Sequence, residues 1–147
     1  RLIEAGLNPK HIVQVGINDS SNSYEYAKLA KDLGISVISR STLELIGIQE
    51  ACNLALGVAA GPGGKVFVDL DVDVCDRSFV PACPAAAPGG ISAYQLRQAA
   101  RLLAGHRQVR GMDITEIDAT KDSDDERTVR LGALLVLEML SGFQLRS

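Results

Sequence analysis

The sequence predicts an α/β fold of three layers, α/β/α, in which a parallel sheet is covered by helices on both faces. Short runs rich in β-branched residues alternate with segments of helical spacing along the whole chain. Neither an internal repeat nor a linker interrupts this alternation. Strands that alternate with helices pair in parallel through right-handed crossovers. We therefore expect residues 1–147 to form a single α/β domain.

The first half of the chain is predicted to contain two strands and two helices. Gly34 ends the first helix, because glycine readily adopts the left-handed conformation that follows a helix. Ser41 or Thr42 can cap the second helix, and Glu44 in its first turn is favoured by the helix dipole. The predicted strands cover residues 11–17 and 35–39, and the helices cover 24–33 and 43–58.

The second half repeats this pattern after the glycine-rich break at residues 61–64. Ser92 is placed to cap the third helix. The last helix has apolar residues on nearly every face, which indicates a buried helix. The acidic cluster at 122–126 could bind a metal, but its position before that helix favours a role at the helix start. The predicted strands begin at 66 and cover 109–117, and the helices cover 93–103 and 128–140.

Composition excludes several classes of partner and location. A hydrophobic content of 46% with 22% charged residues is typical of a soluble globular protein. The net charge of -3 and the lack of a basic stripe argue against nucleic acid or an acidic membrane as partner. No signal peptide, lipidation motif or membrane-length apolar run is expected. Three cysteines without a Cys-x-x-Cys pair indicate a reducing compartment, and we expect a cytoplasmic protein.

The strand that begins at Val66 ends in a group of aspartates. Alternation along a strand would place Asp69, Asp71 and Asp73 on one side. Like charges this close raise one another's pKa or require a cation, and a buried unpaired carboxylate costs several kcal/mol. Oxygen ligands suit magnesium, manganese or calcium better than zinc. The pattern therefore predicts a divalent metal site at the end of this strand.

Other interpretations of the aspartates remain open at this point. The side chains could cap the following turn or lie in a solvated loop. A haloacid-dehalogenase-like phosphatase would have Asp-x-Asp-Gly-Thr near the start of the chain, whereas Val74 and Cys75 follow Asp73 here. Manganese-dependent glycosyltransferases also use Asp-x-Asp, so this short pattern alone has low specificity.

Longer motifs narrow the choice. The segment from Asp71 to Pro81, followed by Pro88-Gly89-Gly90-Ile91-Ser92, resembles the ureohydrolase family. This family of binuclear manganese enzymes includes arginase, agmatinase and formimidoylglutamase. The run Asp113-Ile114-Thr115-Glu116 is similar to a second strand motif of the family. The resemblance implies the C-terminal portion of an arginase-like fold and metal-assisted hydrolysis of a small amidine or guanidine substrate.

The resemblance also implies roles for individual residues. Asp71 and Asp73 match the two later metal-binding aspartates, and Asp71 is expected to bridge both manganese ions. Glu116 matches the acidic residue that holds the cationic end of the substrate. Asp69 stands where many members have a serine, so we expect it outside the set of direct ligands. Asp76 and Asp113 are expected to hold the loop and strand ends.

The chain departs from the family pattern in the loop that lines the substrate approach. Arg77 stands where members usually have proline, and residues 81–86 replace a Gly/Thr/Pro sequence. Together with residues 15–23, the altered loop is most similar to formimidoylglutamases, which hydrolyse formimidoylglutamate to glutamate and formamide in histidine degradation. Arginase or agmatinase activity, with release of urea, is the alternative within the family.

The histidine-containing motifs of the family's earlier half do not occur in this chain. His11 and His106 are its two histidines, and each is expected to be an ordinary surface or capping residue. The chain thus resembles the C-terminal half of a ureohydrolase, expected to be inactive in isolation. A sheet edge and apolar faces left open would favour a homo-oligomer. The rival hypothesis is a non-catalytic α/β fragment or pseudoenzyme.

Overall fold

A computed structural model describes residues 1–61 and 63–146. The chain forms two compact units, residues 1–64 and 65–147. Each unit contains one pair of parallel strands with helices packed around it. The elements of the first unit are β1 (Val13–Ile17), α1 (Tyr24–Leu33), β2 (Ser36–Ser39), α2 (Arg40–Ile46) and α3 (Ile48–Ala60). Those of the second are β3 (Val66–Asp71), α4 (Ala93–Gly105), β4 (Val109–Thr115) and α5 (Arg127–Gln144).

In the first unit, β1 and β2 flank α1 in sequence and pair in parallel, with Val13 opposite Ser36. Ser23 caps α1, since its hydroxyl accepts the backbone N–H of Tyr26. Gly34 ends the helix with a φ of 76°, in the left-handed region that glycine tolerates best. The predicted bounds of this helix are confirmed.

The helix predicted over 43–58 is two helices, and this expectation was wrong. Gly47 separates α2 from α3 with φ 80° and ψ 162°, a conformation that interrupts the helical path. The cap of α2 is Ser39, whose hydroxyl accepts the N–H of Thr42. Neither Ser41 nor Thr42 is the cap, because helical geometry begins one residue before Ser41.

Residues 40–60 are long and apolar enough to cross a membrane by length and composition, contrary to the expectation of no membrane-length apolar run. The break at Gly47 lies within this stretch, so it is not one continuous helix. Leu43, Ala51 and Leu56 from its two helices are buried. Length and composition alone are weak grounds for a membrane span.

In the second unit, β3 and β4 pair in parallel and are joined through α4. The register places Asp71, the last residue of β3, opposite Thr115, the last residue of β4. Ser92 begins α4 in a capping box with Gln95, in which each side chain accepts the other's backbone N–H. The two strands therefore end side by side, and the segments that follow them start from the same edge of the sheet.

Helices α4 and α5 pack closely against each other. A Cβ atom at Gly142 would lie 2.4 Å from the backbone oxygen of Arg101, so only glycine fits there. Glu138 of α5 is buried, and its carboxylate pairs with Arg97 at 2.7 Å and Arg101 at 2.6 Å on α4. The pairs satisfy a carboxylate that would otherwise be costly to bury. They fix the register of the two helices.

The opposite side of α5 is open to solvent. Val136 is 47% exposed and Leu137 is 60% exposed, and Leu134 and Leu140 are also exposed. The prediction of a helix buried on nearly every face was therefore wrong for this chain, because this side of α5 is not covered within the described residues. The α/β class itself, with parallel pairing, is confirmed.

Candidate active site

The predicted metal aspartates lie where β3 ends. Asp71 is the last strand residue, and its Oδ1 accepts the backbone N–H of Asp73 at 2.9 Å. A short 3-10 turn, Val72–Val74, follows at once. Asp73 therefore lies in a turn, and the prediction that it continues the strand alternation with Asp69 and Asp71 was wrong. The turn still keeps Asp71 and Asp73 adjacent.

Four carboxylates interact electrostatically at this edge of the sheet. Partial desolvation and then the charge of Asp71 raise the pKa of Asp73 to about 6, with smaller effects from Glu116 and Asp69. Within the described residues, no lysine or arginine forms an ion pair with any of these four. The structure thus brings the predicted metal residues and the predicted substrate residue into one acidic cluster.

Glu116 follows the last residue of β4 and has a left-handed backbone, with φ 65°. Residues other than glycine rarely adopt this conformation, which is concentrated at functional sites. Thr115 directs its hydroxyl to Asp69 Oδ1 at 2.7 Å. Asp69 is therefore held by its neighbour, and its place outside the direct ligands stays a prediction.

The four carboxylates of the cluster are close enough to interact, but they are not deeply buried. Asp69, Asp73 and Glu116 are exposed, and Asp71 is half-buried. Across residues 1–61 and 63–146, no three His, Cys, Asp or Glu side chains are arranged to hold a metal ion. Two adjacent carboxylates without a cationic partner fit part of the oxygen ligand set of a hard dication. The remaining ligands would have to come from elsewhere.

The loop after the aspartates is organised around Asp76. Its carboxylate accepts the N–H and hydroxyl of Ser78 on one oxygen and the N–H of Gly89 on the other. Gly89 has a φ of 92°, and a Cβ at Gly90 would lie 2.3 Å from the backbone of Asp76. The double glycine is therefore required by a positive φ and a close backbone approach. The expected role of Asp76 in holding the loop is confirmed.

Arg77 also holds this loop, a role that the sequence did not reveal. Its guanidinium Nη1 lies 3.3 Å from each of the backbone oxygens of Cys83, Pro84 and Ala86. The side chain thus crosses the altered loop and contacts several of its carbonyls. The sequence showed only that Arg77 stands where family members usually have proline. Its contacts with the carbonyls depend on how the loop folds, which the sequence does not show.

The two cysteines of this region are buried thiols. Burial, followed by the charges of Cys83, Asp76 and Asp73, raises the pKa of Cys75 to about 12. Burial also raises the pKa of Cys83, with contributions from Asp73 and Asp71. Both groups therefore stay protonated near neutral pH, and neither is an activated nucleophile.

An open cavity of about 530 Å³ lies elsewhere in the second unit, at the N-terminal ends of α4 and α5. Tyr94, Arg97 and Arg130 are among its lining residues. None of the four clustered carboxylates lines it. The candidate site is therefore the exposed acidic edge of the sheet and not this cavity.

Comparison with known proteins agrees with the motifs. The arginase family model matches residues 1–142. The formimidoylglutamase of Halalkalibacterium halodurans is 36% identical over 147 residues, covering 99% of this chain and 46% of that protein.

Solved structures show the same fold. The crystal structure of Bacillus subtilis formimidoylglutamase superimposes with a TM-score of 0.93 at 31% identity, covering 99% of this chain and 45% of that one. A Trypanosoma cruzi formiminoglutamase structure with Mn²⁺ shares the fold at 24% identity, with a TM-score of 0.85 and coverage of 95% and 47%. The chain spans about half the length of these proteins. It belongs to the arginase family, in agreement with its aspartate and double-glycine motifs.

Proposed function

We propose that the whole protein hydrolyses formimidoylglutamate to glutamate and formamide. The observation that carries this proposal is the acidic edge, where Asp71 and Asp73 end one strand and Glu116 follows its neighbour. Ligands of open α/β sheets bind at the carboxyl ends of strands, so these side chains lie where a substrate is expected. The similarity to proteins named formimidoylglutamase supports this substrate.

Asp71 and Asp73 would hold manganese as part of a larger ligand set. The Mn²⁺ named for the Trypanosoma cruzi relative supports this choice of metal, as does the all-oxygen chemistry of the pair. When bound, the metal supplies Lewis acidity and lowers the pKa of water, so that a hydroxide nucleophile is available near neutral pH. The two aspartates contribute negative charge that the metal neutralises.

Glu116 would bind the cationic amidinium end of the substrate and orient it. Its carboxylate is exposed, and no ion pair within the described residues occupies it. Hydrolysis adds one water across the bond between the formimidoyl carbon and the glutamate nitrogen. That bond breaks, the amine leaves as glutamate, and the formimidoyl group leaves as formamide.

We further propose a cytoplasmic homo-oligomer. Cys52, Cys75 and Cys83 are free and buried, which supports a reducing compartment. The exposed apolar residues of α5 support burial against another surface. The acidic balance of the chain gives no support to nucleic acid as a partner.

Substrate profiling of the whole protein loaded with Mn²⁺ tests the activity. We expect formamide and glutamate from formimidoylglutamate, and no urea from arginine or agmatine. Urea release would transfer the assignment to the arginase or agmatinase type. Lack of turnover with all three substrates would favour the non-catalytic hypothesis.

Glu116→Gln is the informative variant, because it keeps the shape of the side chain and removes the charge that would bind the amidinium. Removing one charge-assisted contact is expected to lower kcat/KM roughly 100-fold. Asp124→Asn is the matched control, since Asp124 is an exposed carboxylate outside the acidic edge. Equal losses in the two variants would contradict the role of Glu116.

A further inference from the structure

A chain of hydrogen bonds links the two loops that carry the acidic cluster. The backbone N–H of Asp118, two residues after Glu116, donates to the carbonyl of Ala82 at 2.9 Å. Ala82 lies in the loop that follows Asp73, and its own N–H donates to the hydroxyl of Thr128 at 3.1 Å. The backbone of Ala82 thus joins the Glu116 segment to the start of α5.

Thr128 is the one side chain in this connection. It is fully buried, and its hydroxyl donates to Asp122 Oδ1 at 2.8 Å while accepting from Ala82. Ala82 is also fully buried, so its N–H has no access to water if the threonine oxygen is removed. A buried backbone donor without a partner costs about 1–3 kcal/mol, which favours movement of the loop over loss of the bond.

The connection ends close to the strained residue. Glu116 keeps a left-handed backbone only if its surroundings hold it there. The bond from Asp118 to Ala82 provides such a restraint two residues away. On the other side, Asp71 lies opposite Thr115 in the register of β3 and β4, so the segment that carries Glu116 begins beside the aspartates.

We propose that Thr128 is a positioning residue that sets Glu116 relative to Asp71 and Asp73 through the backbone of Ala82. It touches none of the three acidic side chains. Its hydroxyl fixes Ala82, and Ala82 fixes the turn that carries Glu116. The inference rests on the proposed function, because the placement of Glu116 affects catalysis only if Glu116 binds the substrate.

The test compares Thr128→Val with Thr128→Ser in the whole protein loaded with Mn²⁺. Valine keeps the size of threonine without the hydroxyl, and serine keeps the hydroxyl without the methyl. Displacement of a binding group by about 1 Å can cost 100-fold. We therefore expect Thr128→Val to lower kcat/KM on formimidoylglutamate by roughly 10- to 100-fold, and Thr128→Ser to remain within about threefold of the parent.

Ser123→Ala is the matched control. The Ser123 hydroxyl also donates to an aspartate before α5, Asp125 Oδ1 at 2.6 Å, and this bond is not part of the connection from Asp118 through Ala82 to Thr128. A loss confined to Thr128→Val supports the proposal. Retention of kcat/KM within threefold in Thr128→Val, or an equal loss in Ser123→Ala, overturns it.

Amide hydrogen exchange gives a readout that does not need turnover. Thr128→Val should accelerate exchange at Ala82 and Asp118 by about tenfold or more, whereas Thr128→Ser should not. If the parent protein shows no turnover, the proposed function fails, and exchange still decides whether the bridge exists. Unchanged exchange at both amides would overturn the bridge.

Thr128→Ala serves if Thr128→Val does not fold. Alanine removes the same two hydrogen bonds without placing a methyl group in the position of the hydroxyl. The expected losses of kcat/KM and of protection at Ala82 are the same as for valine. Normal values for both quantities in Thr128→Ala would contradict the proposal.

Discussion

The pKa of Asp73 determines how the acidic edge responds to pH. Desolvation and the neighbouring carboxylates, Asp71 first, raise the pKa of Asp73 to about 6. Metal ligands must lose their protons, so protons and a divalent metal compete for the same oxygen atoms. Because the pKa of Asp73 is raised to about 6, this competition occurs near pH 6, where an ordinary aspartate with a pKa near 3.9 is already ionised.

Mn²⁺ affinity of the whole protein should therefore fall with acidification through pH 6. Below the raised pKa, each pH unit costs roughly tenfold in affinity for one proton displaced at Asp73. Calorimetric titration between pH 5 and 8 measures the change. Affinity that is constant across this range would contradict a role for Asp73 as a ligand.

Asp71→Ala should abolish tight binding of the metal in the same titration, because it removes one of the two carboxylates that would hold the metal. Asp69→Asn is the control, since Asp69 is already held by the hydroxyl of Thr115. Binding that persists unchanged in Asp71→Ala would refute the assignment of this residue.

Arg77 should stabilise the second unit through the loop carbonyls it contacts. The side chain is exposed and its contacts are long, at 3.3 Å, so Arg77→Met is expected to lower the free energy of unfolding by only about 1 kcal/mol. Chemical denaturation measures this change. Arg110→Met, an exposed arginine on β4, is the control and should have no measurable effect. Equal destabilisation by both variants would show that the loop contacts contribute nothing.

At the scale of elements, the start of α5 depends on a residue outside the helix. Glu126 occupies the cap position, but its side chain makes no capping hydrogen bond. Asp122 instead accepts the N–H groups of Thr128 and Val129 and the hydroxyl of Thr128. The free N–H groups in the first turn of α5 therefore donate to a carboxylate several residues before the helix.

Asp122→Ala should lower the free energy of unfolding by about 1–2 kcal/mol, the usual range for loss of a cap. Desolvation alone would raise the pKa of Asp122, but hydrogen bonds from Val129, Thr128 and Ser123 lower it overall. The contribution is therefore present above the unfolded pKa and lost as pH falls through the lower folded value. Denaturation at pH 7 and below pH 3 measures both effects.

Asp124→Ala is the control for the start of α5. Asp124 lies in the same acidic segment, residues 122–126, but its side chain is exposed and makes no hydrogen bond within the described residues. We expect its effect to be negligible at either pH. A loss equal to that of Asp122→Ala would indicate general electrostatics rather than capping.

Local signals predicted some elements well and others poorly. The serine before α4 and the glycine after α1 carry their structural role in their own chemistry, so those ends were predicted correctly. The break at Gly47 was missed because an apolar run on both sides continues the helical spacing. Asp73 was misplaced because strand alternation does not reveal where a strand turns.

Long-range contacts could not be predicted from the sequence. The hydroxyl of Thr128 meets Ala82 across 46 residues, and Arg97 meets Glu138 across 41. No local pattern encodes such pairings in a single sequence. The acidic edge itself was predictable, because Asp71 and Glu116 belong to motifs at the ends of strands that a parallel register brings together.

On the scale of the whole molecule, the described chain carries only part of the site that the proposed function needs. Its acidic edge offers two adjacent carboxylates as proposed ligands, and no group of three potential ligands is arranged to hold a metal within residues 1–61 and 63–146. Four apolar residues on one side of α5, Leu134, Val136, Leu137 and Leu140, are exposed. Both features fit a chain that spans about half the length of its relatives.

The 147-residue chain expressed alone should show no turnover of any amidine or guanidine. It should also bind Mn²⁺ far more weakly than the whole protein, since most of the ligand set is missing. Activity assays and metal titration on the purified chain measure both. Measurable hydrolysis by this chain would mean that its own residues complete the site.

At Glu116, the left-handed backbone is unfavourable for stability, whereas the proposed activity requires the carboxylate. Glycine would relieve the strain there, so Glu116→Gly should fold at least as stably as the parent while losing the carboxylate. Glu126, with φ 53°, would gain the same relief without a catalytic penalty. Selection for stability alone would thus replace either glutamate by glycine. A glutamate that relatives retain at position 116 but not at position 126 would indicate selection for activity at the expense of stability.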